Sequence, residues 1–226
     1  MTKDNEQIYQ TLVNEIVNMT LKPGEMLKEV DVAKRFNVSR TPIRDVFKRL
    51  EYDNLLTIHS QRGSYVSKIN LDGITDIMYI RNQVERSVLL ELESIVTPGD
   101  IVKLRMIVND QAALLATFNE NTNVEVFANK FFELDNIFHE NIYTRAGKIT
   151  VLQALNALSP SFARYRFLTN LRAKTEVAFL VELHSEIVEC LEKKDSTRLS
   201  DIVRKHNFSG LNGIESVRSK HPDYFE

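Results

Sequence analysis

The 226 residues, 43% hydrophobic and 27% charged, are enough to bury one large or two modest cores. No apolar run approaches the roughly 18 residues of a membrane span, and the polar start MTKDNEQIYQ lacks the apolar centre of a signal peptide. A lone cysteine, Cys190, excludes an internal disulfide and fits a reducing cytoplasm, so a cytoplasmic, membrane-free protein is expected. The net charge of −2 hides an asymmetry: residues 1–70 hold 11 Lys+Arg against 9 Asp+Glu, the remainder 18 against 22. Between Lys34 and Arg49 six basic residues face one acid, Asp45, as on a duplex-binding surface or a solvated basic helix.

Residues 5–19 carry Ile8, Leu12, Ile16 and Val17 at helical spacing, and Pro23-Gly24 then turns the chain. A short helix over 28–36 ends at Asn37, which tolerates the left-handed conformation. Ser39 is a natural N-cap, with Pro42 in the first turn of a helix running to about Tyr52. That helix buries Ile43, Val46, Phe47 and Leu50. Residues 55–59 and 64–69 are β-prone around Gln61-Arg62-Gly63, a hairpin. Helix, helix, turn, helix, hairpin is the order of a winged helix-turn-helix.

Beyond Asn70, Asp72 and Gly73 the chain reads as helices over 73–96, 99–118, 123–145, 148–171, 173–193 and 196–217, with Pro160 expected to kink the fourth. Residues 220–226 read as a loose tail. The fold expected is mainly α: a winged helix-turn-helix over 1–70, then an all-helical effector bundle of six to seven helices over 71–226.

In such a motif the second helix enters the major groove N-terminus first. Here that end is Ser39, Arg40, Thr41 and Arg44. Arg40, Arg44 and Lys48 share one face at i, i+4, i+8, opposite Ile43, Phe47 and Leu50. Arginine offers a fork for guanine or phosphate, and Arg62-Gly63 at the hairpin tip can reach the backbone. The competing reading is a basic helix used for protein contacts.

Three of the five histidines lie on apolar helix stripes. Asp135 and His139 are one turn apart, beside Ala128, Phe131 and Ile142. His184 accompanies Val177, Leu180, Ile187 and Leu191, and His206 accompanies Leu199, Ile202 and Val203. Inward polar groups need partners. A carboxylate and three imidazoles suit a divalent transition metal, zinc first, with nickel, manganese or iron(II) as alternatives. Each histidine alone reads equally as a hydrogen-bonded core residue. Arg81 shares an inner stripe with Ile74, Ile77, Met78, Val84 and Val88 and should meet an anion, either Glu85 one turn on or a ligand carboxylate. Tyr165 and Arg166 are further candidates for the pocket wall.

The stretch LKPGEMLKEVDVAKRFNVSRTPIRDVFKRLEYDNLLTIHSQRGSYV resembles the DNA-binding domain of the GntR family of bacterial regulators, most specifically in VSRTPIR and RGSYV. It departs at Asn54, where the family usually carries glycine. Asparagine also tolerates positive φ, so the same turn is expected. The resemblance implies that Arg40, Arg44 and Gly63 lie at the DNA. Residues 72–217 resemble the FCD effector domain of the FadR subgroup through IRNQVE, LDNIFHE, ELHSEIVECLEKKD and VRKHN. The resemblance implies Asp135, His139, His184 and His206 as metal ligands, and favours a small carboxylate as the partner of Arg81.

The function expected is a sequence-specific transcription regulator, a repressor, acting as a homodimer on operator DNA under control of a small organic acid held at the metal. The alternatives are a regulator with a metal-independent organic ligand and a metal-dependent hydrolase-like enzyme with a DNA-binding appendage. Against the enzyme, no second acid or base is seen on an inner stripe near the ligands, since Glu133 and Glu140 fall off it.

Overall fold

The computed structural model describes residues 3–158, 160–170, 174–210 and 214–226. Helix α1 (Lys3–Val17) leads through strand β1 (Met26–Leu27) to α2 (Glu29–Phe36) and α3 (Arg40–Tyr52), followed by β2 (Leu56–His59) and β3 (Gly63–Val66). Asn37 ends α2 at φ 53 with its N–H returned to the helix carbonyls, and Ser39 opens α3 in extended conformation without a side-chain cap. Asn54 takes φ 56, the turn expected of it. The apolar stripes of α1 and α3 meet over Leu12, Ile16, Ile43, Val46, Phe47 and Leu50, none more than 1% exposed. The sheet has three strands, in order β1-β3-β2, all antiparallel. The two-residue β1 is too short to show in an alternation pattern. The second expected strand ends at Val66 rather than at residue 69, because the chain leaves the sheet there.

The remaining described residues are helical: α4 (Leu71–Ile95), α5 (Pro98–Ala116), α6 (Val124–Arg145), α7 (Ile149–Leu158), α8 (Pro160–Asn170), α9 (Lys174–Lys193), α10 (Ser196–Ser209) and α11 (Ile214–Lys220), then a 3-10 turn at Pro222–Tyr224. None is long and apolar enough to cross a membrane. Asn70 caps α4 by accepting from Gly73 N at 2.7 Å, and Thr97 and Asp100 form a reciprocal capping box on α5. The expected kink at Pro160 is instead a helix start. Its missing N–H breaks an interior ladder but costs nothing at a first residue, so 148–171 reads as two elements, with Ser159 outside the described residues. Likewise 196–217 is α10 and α11, with 211–213 outside the described residues. The main core lies among α4, α5, α6, α9 and α10, around Leu89, Leu92, Phe131, Phe138, Ile142, Ile187 and Leu199.

Residues 220–226 are not a loose tail. Ile69 N donates to Tyr224 O at 2.8 Å and Glu226 N to Ile69 O at 3.3 Å, so the chain end pairs with the segment between β3 and α4. Phe225 is buried beside Ile69, Met19, Phe162 and Tyr165. Asn70 Nδ2 also donates to Glu226 Oε2 at 3.0 Å. From the other side the fully buried Arg164 of α8 donates to the carbonyls of Ser67 and Lys68 and, at 2.7 Å, to Ser161 Oγ. A buried cation surrounded by backbone acceptors is what makes its burial tolerable.

Candidate DNA-reading surface and metal centre

The apolar face of α3 anchors it against α1 and α2, leaving Ser39, Arg40, Thr41, Arg44 and Lys48 exposed along one side. Arg62 and Gly63 are exposed at the β2–β3 tip, where Gly63 takes φ 109, a value that favours glycine. The two leading arginines are not free. Glu29, at the start of α2, accepts from Arg40 Nη2 at 2.8 Å and from Arg44 Nε at 3.0 Å. Partial burial raises the Glu29 pKa, but the two guanidiniums outweigh it and hold the carboxyl below its ordinary value. Glu29 thus pre-orients both forks side by side, and a phosphate or base edge would have to displace it.

Inside the helical bundle, Asp135 and His139 from α6, His184 from α9 and His206 from α10 bring one ligand atom each within 4.8 Å of one another. His184 Nε2 lies 2.9 Å from His206 Nε2 and 3.4 Å from Asp135 Oδ1, and His139 Nε2 lies 3.7 Å from that oxygen. Ligands on one ion at about 2.1 Å stand roughly 3.0–3.4 Å apart; the two His184 separations lie close to that range, and the wider pairs would have to draw in around an ion. Protonation states agree. Burial holds His184 well below the ordinary imidazole range and His206 at about 4, leaving both neutral with lone pairs to give. Burial opposes ionisation of Asp135, but Arg166 and the imidazoles prevail and keep its pKa low. Arg166 binds Asp135 Oδ2, leaving Oδ1 toward the imidazoles.

A cavity of about 290 Å³ opens onto Asp135, His139 and His206 and is also walled by Arg81, Phe162, Tyr165, Arg166 and Asn207. Arg81 is 3% exposed; its Nη1 donates to Asn156 Oδ1 at 3.1 Å and its guanidinium lies 4.8 Å from the centre of the Phe162 ring. Glu85 is turned elsewhere: its Oε1 lies 3.1 Å from His139 Nδ1, a close contact without hydrogen-bond alignment. This corrects the expectation that no further acid stands near the ligands, since Glu85 is fully buried and lines the same cavity. Glu133 and Glu140 are exposed, as their positions imply. Gln111, also missed, donates Nε2 to Leu134 O at 3.3 Å and faces His184 Nδ1 with Oε1 at 2.8 Å. Its one sequence signal was a polar residue on the otherwise apolar stripe of α5.

Comparison with known proteins follows the same division. Residues 4–66 match the gntR family of bacterial regulatory proteins and residues 76–208 match the FCD domain. The chain is 28% identical over 221 residues to the HTH-type transcriptional repressor RspR of Escherichia coli K12, covering 98% of this chain and 93% of the relative. Its fold is that of E. coli McbR/YncC (TM-score 0.72, 17% identity, 98% and 100% coverage) and of a GntR regulator from Rhodococcus sp. RHA1 (TM-score 0.72, 16% identity, 96% and 99% coverage). A helix-turn-helix presenting arginines, joined to an FCD domain, makes this protein a DNA-binding transcription regulator, and the chain belongs to the GntR family in its FCD-bearing branch.

Proposed function

We propose that the protein is a repressor, as RspR is named, and that a small carboxylate bound in the α4–α6–α8–α10 cavity controls its hold on operator DNA. The observation that carries this reading is the convergence of Asp135, His139, His184 and His206 on one edge of a 290 Å³ cavity whose wall also holds Arg81. Those four residues would hold a divalent transition metal, zinc first and nickel or manganese next. The ion would supply a Lewis-acidic position for a carboxylate oxygen. Arg81 offers N–H donors to the same anion, and the Phe162 ring lies against its guanidinium. Tyr165 and Arg166 close the wall. On the DNA side, Ser39, Arg40, Thr41, Arg44 and Lys48 would read the major groove while Arg62 and Gly63 lie along the backbone. Two chains, related by a two-fold axis, would engage two half-sites. An effector shifts the operator equilibrium only through unequal affinity for the two arrangements of the reading helices.

The test is metal analysis of purified protein, joined to operator titrations with a panel of small mono-, di- and hydroxycarboxylates before and after chelation. A carboxylate that changes operator affinity at least tenfold, and loses that effect in Arg81→Met and in Asp135→Ala, is the expected result. An effect that survives both substitutions overturns the placement of the effector. Glu85 favours the enzyme alternative only weakly, because it faces the Nδ1 side of His139, away from the converging Nε2 atoms. Sustained metal-dependent turnover of esters, amides or lactones without operator binding would reverse that judgement.

A further inference from the structure

We propose that Gln111 is the positioning residue of the metal centre: its side-chain amide fixes His184 as the Nδ1–H tautomer and keeps the Nε2 lone pair aimed at the other three ligands. The proposal rests on the metal reading above, and its test separates the two.

Gln111 is fully buried on α5, among Ile101, Leu104, Ile107 and Val108, which offer it nothing polar. A buried amide without partners is costly, so its contacts decide its orientation. The carbonyl of Leu134, 3.3 Å away, can only accept, so the amide nitrogen must face it. The amide oxygen then faces His184 Nδ1 at 2.8 Å and can only accept. His184 is therefore compelled to carry its hydrogen on Nδ1, and a neutral ring with that hydrogen has a bare Nε2. That atom lies 2.9 Å from His206 Nε2 and 3.4 Å from Asp135 Oδ1. Phe138 stacks on the ring at 4.2 Å and 26°, so the imidazole can neither flip nor swing without repacking α6.

The same amide also sets a distance. Leu134 adjoins Asp135 on α6, so one side chain from α5 joins the backbone beside one ligand to the ring of another on α9. His206 has no such support. Its Nδ1 is buried with no hydrogen-bond partner among the described residues. In the metal-free protein His206 Nε2–H is the donor that satisfies the bare His184 Nε2. His184 is thus preset for an ion, and His206 carries the hydrogen an ion must displace. Outer partners that orient ligand imidazoles typically change metal affinity 10–100-fold when removed.

The experiment compares the full chain with Gln111→Met, which keeps the volume and removes the acceptor, and Gln111→Glu, which keeps an acceptor oxygen at His184 Nδ1. Zn²⁺ affinity is read by competition with a chromophoric chelator, and imidazole tautomers of the metal-free proteins by long-range ¹H–¹⁵N correlation. The expected result is His184 in the Nδ1–H form in the parent. Gln111→Met should lose 10–100-fold in Zn²⁺ affinity and populate the Nε2–H form, while Gln111→Glu stays within a few-fold of the parent. Parental Zn²⁺ affinity and an unchanged tautomer in a folded Gln111→Met protein would overturn the proposal. So would an Nε2–H form of His184 in the parent, a result that needs no variant to fold. If the parent binds no Zn²⁺, Ni²⁺ or Mn²⁺, the metal reading fails while the tautomer spectra still decide the role of Gln111.

Discussion

The two halves of this chain place their polar chemistry on opposite sides of their surfaces. Between residues 5 and 66 the only residue of the buried polar and charged set is Ser64, and every charged side chain stands outside an apolar core. From residue 71 onward the interior takes in Arg81, Asn82, Glu85, Glu93, Gln111, Asp135, His139, Arg164 and His184. A module that reads a long rigid polymer needs a stiff scaffold and an exposed edge. A cavity that is to enclose a small ligand, as proposed for the second half, has to take charge into the interior and so needs partners for it.

Four experiments put this contrast to the test. The largest effect is expected from Phe47→Ala, a 1% exposed ring in the small core, which should cost about 3–5 kcal/mol. Hydrogen exchange should show residues 5–66 opening while the α4–α10 core stays protected; loss of protection throughout would mean that the halves are not separable. Arg44→Ala should weaken operator binding roughly 10–100-fold, about 1–3 kcal/mol, and lower its salt dependence, with thermal stability and metal content unchanged. Unaltered operator affinity would remove α3 as the reading helix.

One group in each half titrates at an opposite end of the pH scale. Burial holds His206 at about 4 against 6.5 in an unfolded chain. Between these values the unfolded state binds the extra proton, so metal-free effector-domain stability is complete above pH 6.5 and falls as the pH drops toward 4. Burial and a bond to Asp53 push Tyr9 up to about 12 from 10. There the unfolded phenol ionises first, so the contribution of Tyr9 to the small core is intact below pH 10 and is lost as the pH rises through 12. Melting curves across pH, followed by exchange in each half, check both. Added Zn²⁺ should move only the acid-side loss, to lower pH. The smallest effect is Glu29→Gln, which releases Arg40 and Arg44 from their shared carboxylate. Operator binding should tighten by less than about 1 kcal/mol, and a weakened complex would show that pre-orientation outweighs competition.

The contrast also explains what the sequence made legible. Helical spacing picked out Ile43, Val46, Phe47 and Leu50, and all are buried, because one-sided burial leaves a period of 3.6. Asp135, His139, His184 and His206 could be collected because each sits on an otherwise apolar stripe, and the structure brings them together. The partners of those residues were hidden. Glu85 is one turn from Arg81, so local spacing suggested that pair, yet its near neighbour is His139 on another helix. Nothing local to Gln111 or His184 reports a contact across 73 positions. The same holds for residues 220–226: six polar or aromatic residues and a proline, without periodicity, carry no sign that Ile69 will receive them.

That returning end bears on the order in which the molecule is made. The small core is complete once Val66 has been synthesised, and it can form from contacts mostly close in sequence. The segment that joins this core to the helical bundle, Ser67–Asn70, gains hydrogen bonds from residues 224–226 only when those residues exist. A nascent chain can therefore display folded arginines well before the joining segment is fully hydrogen-bonded.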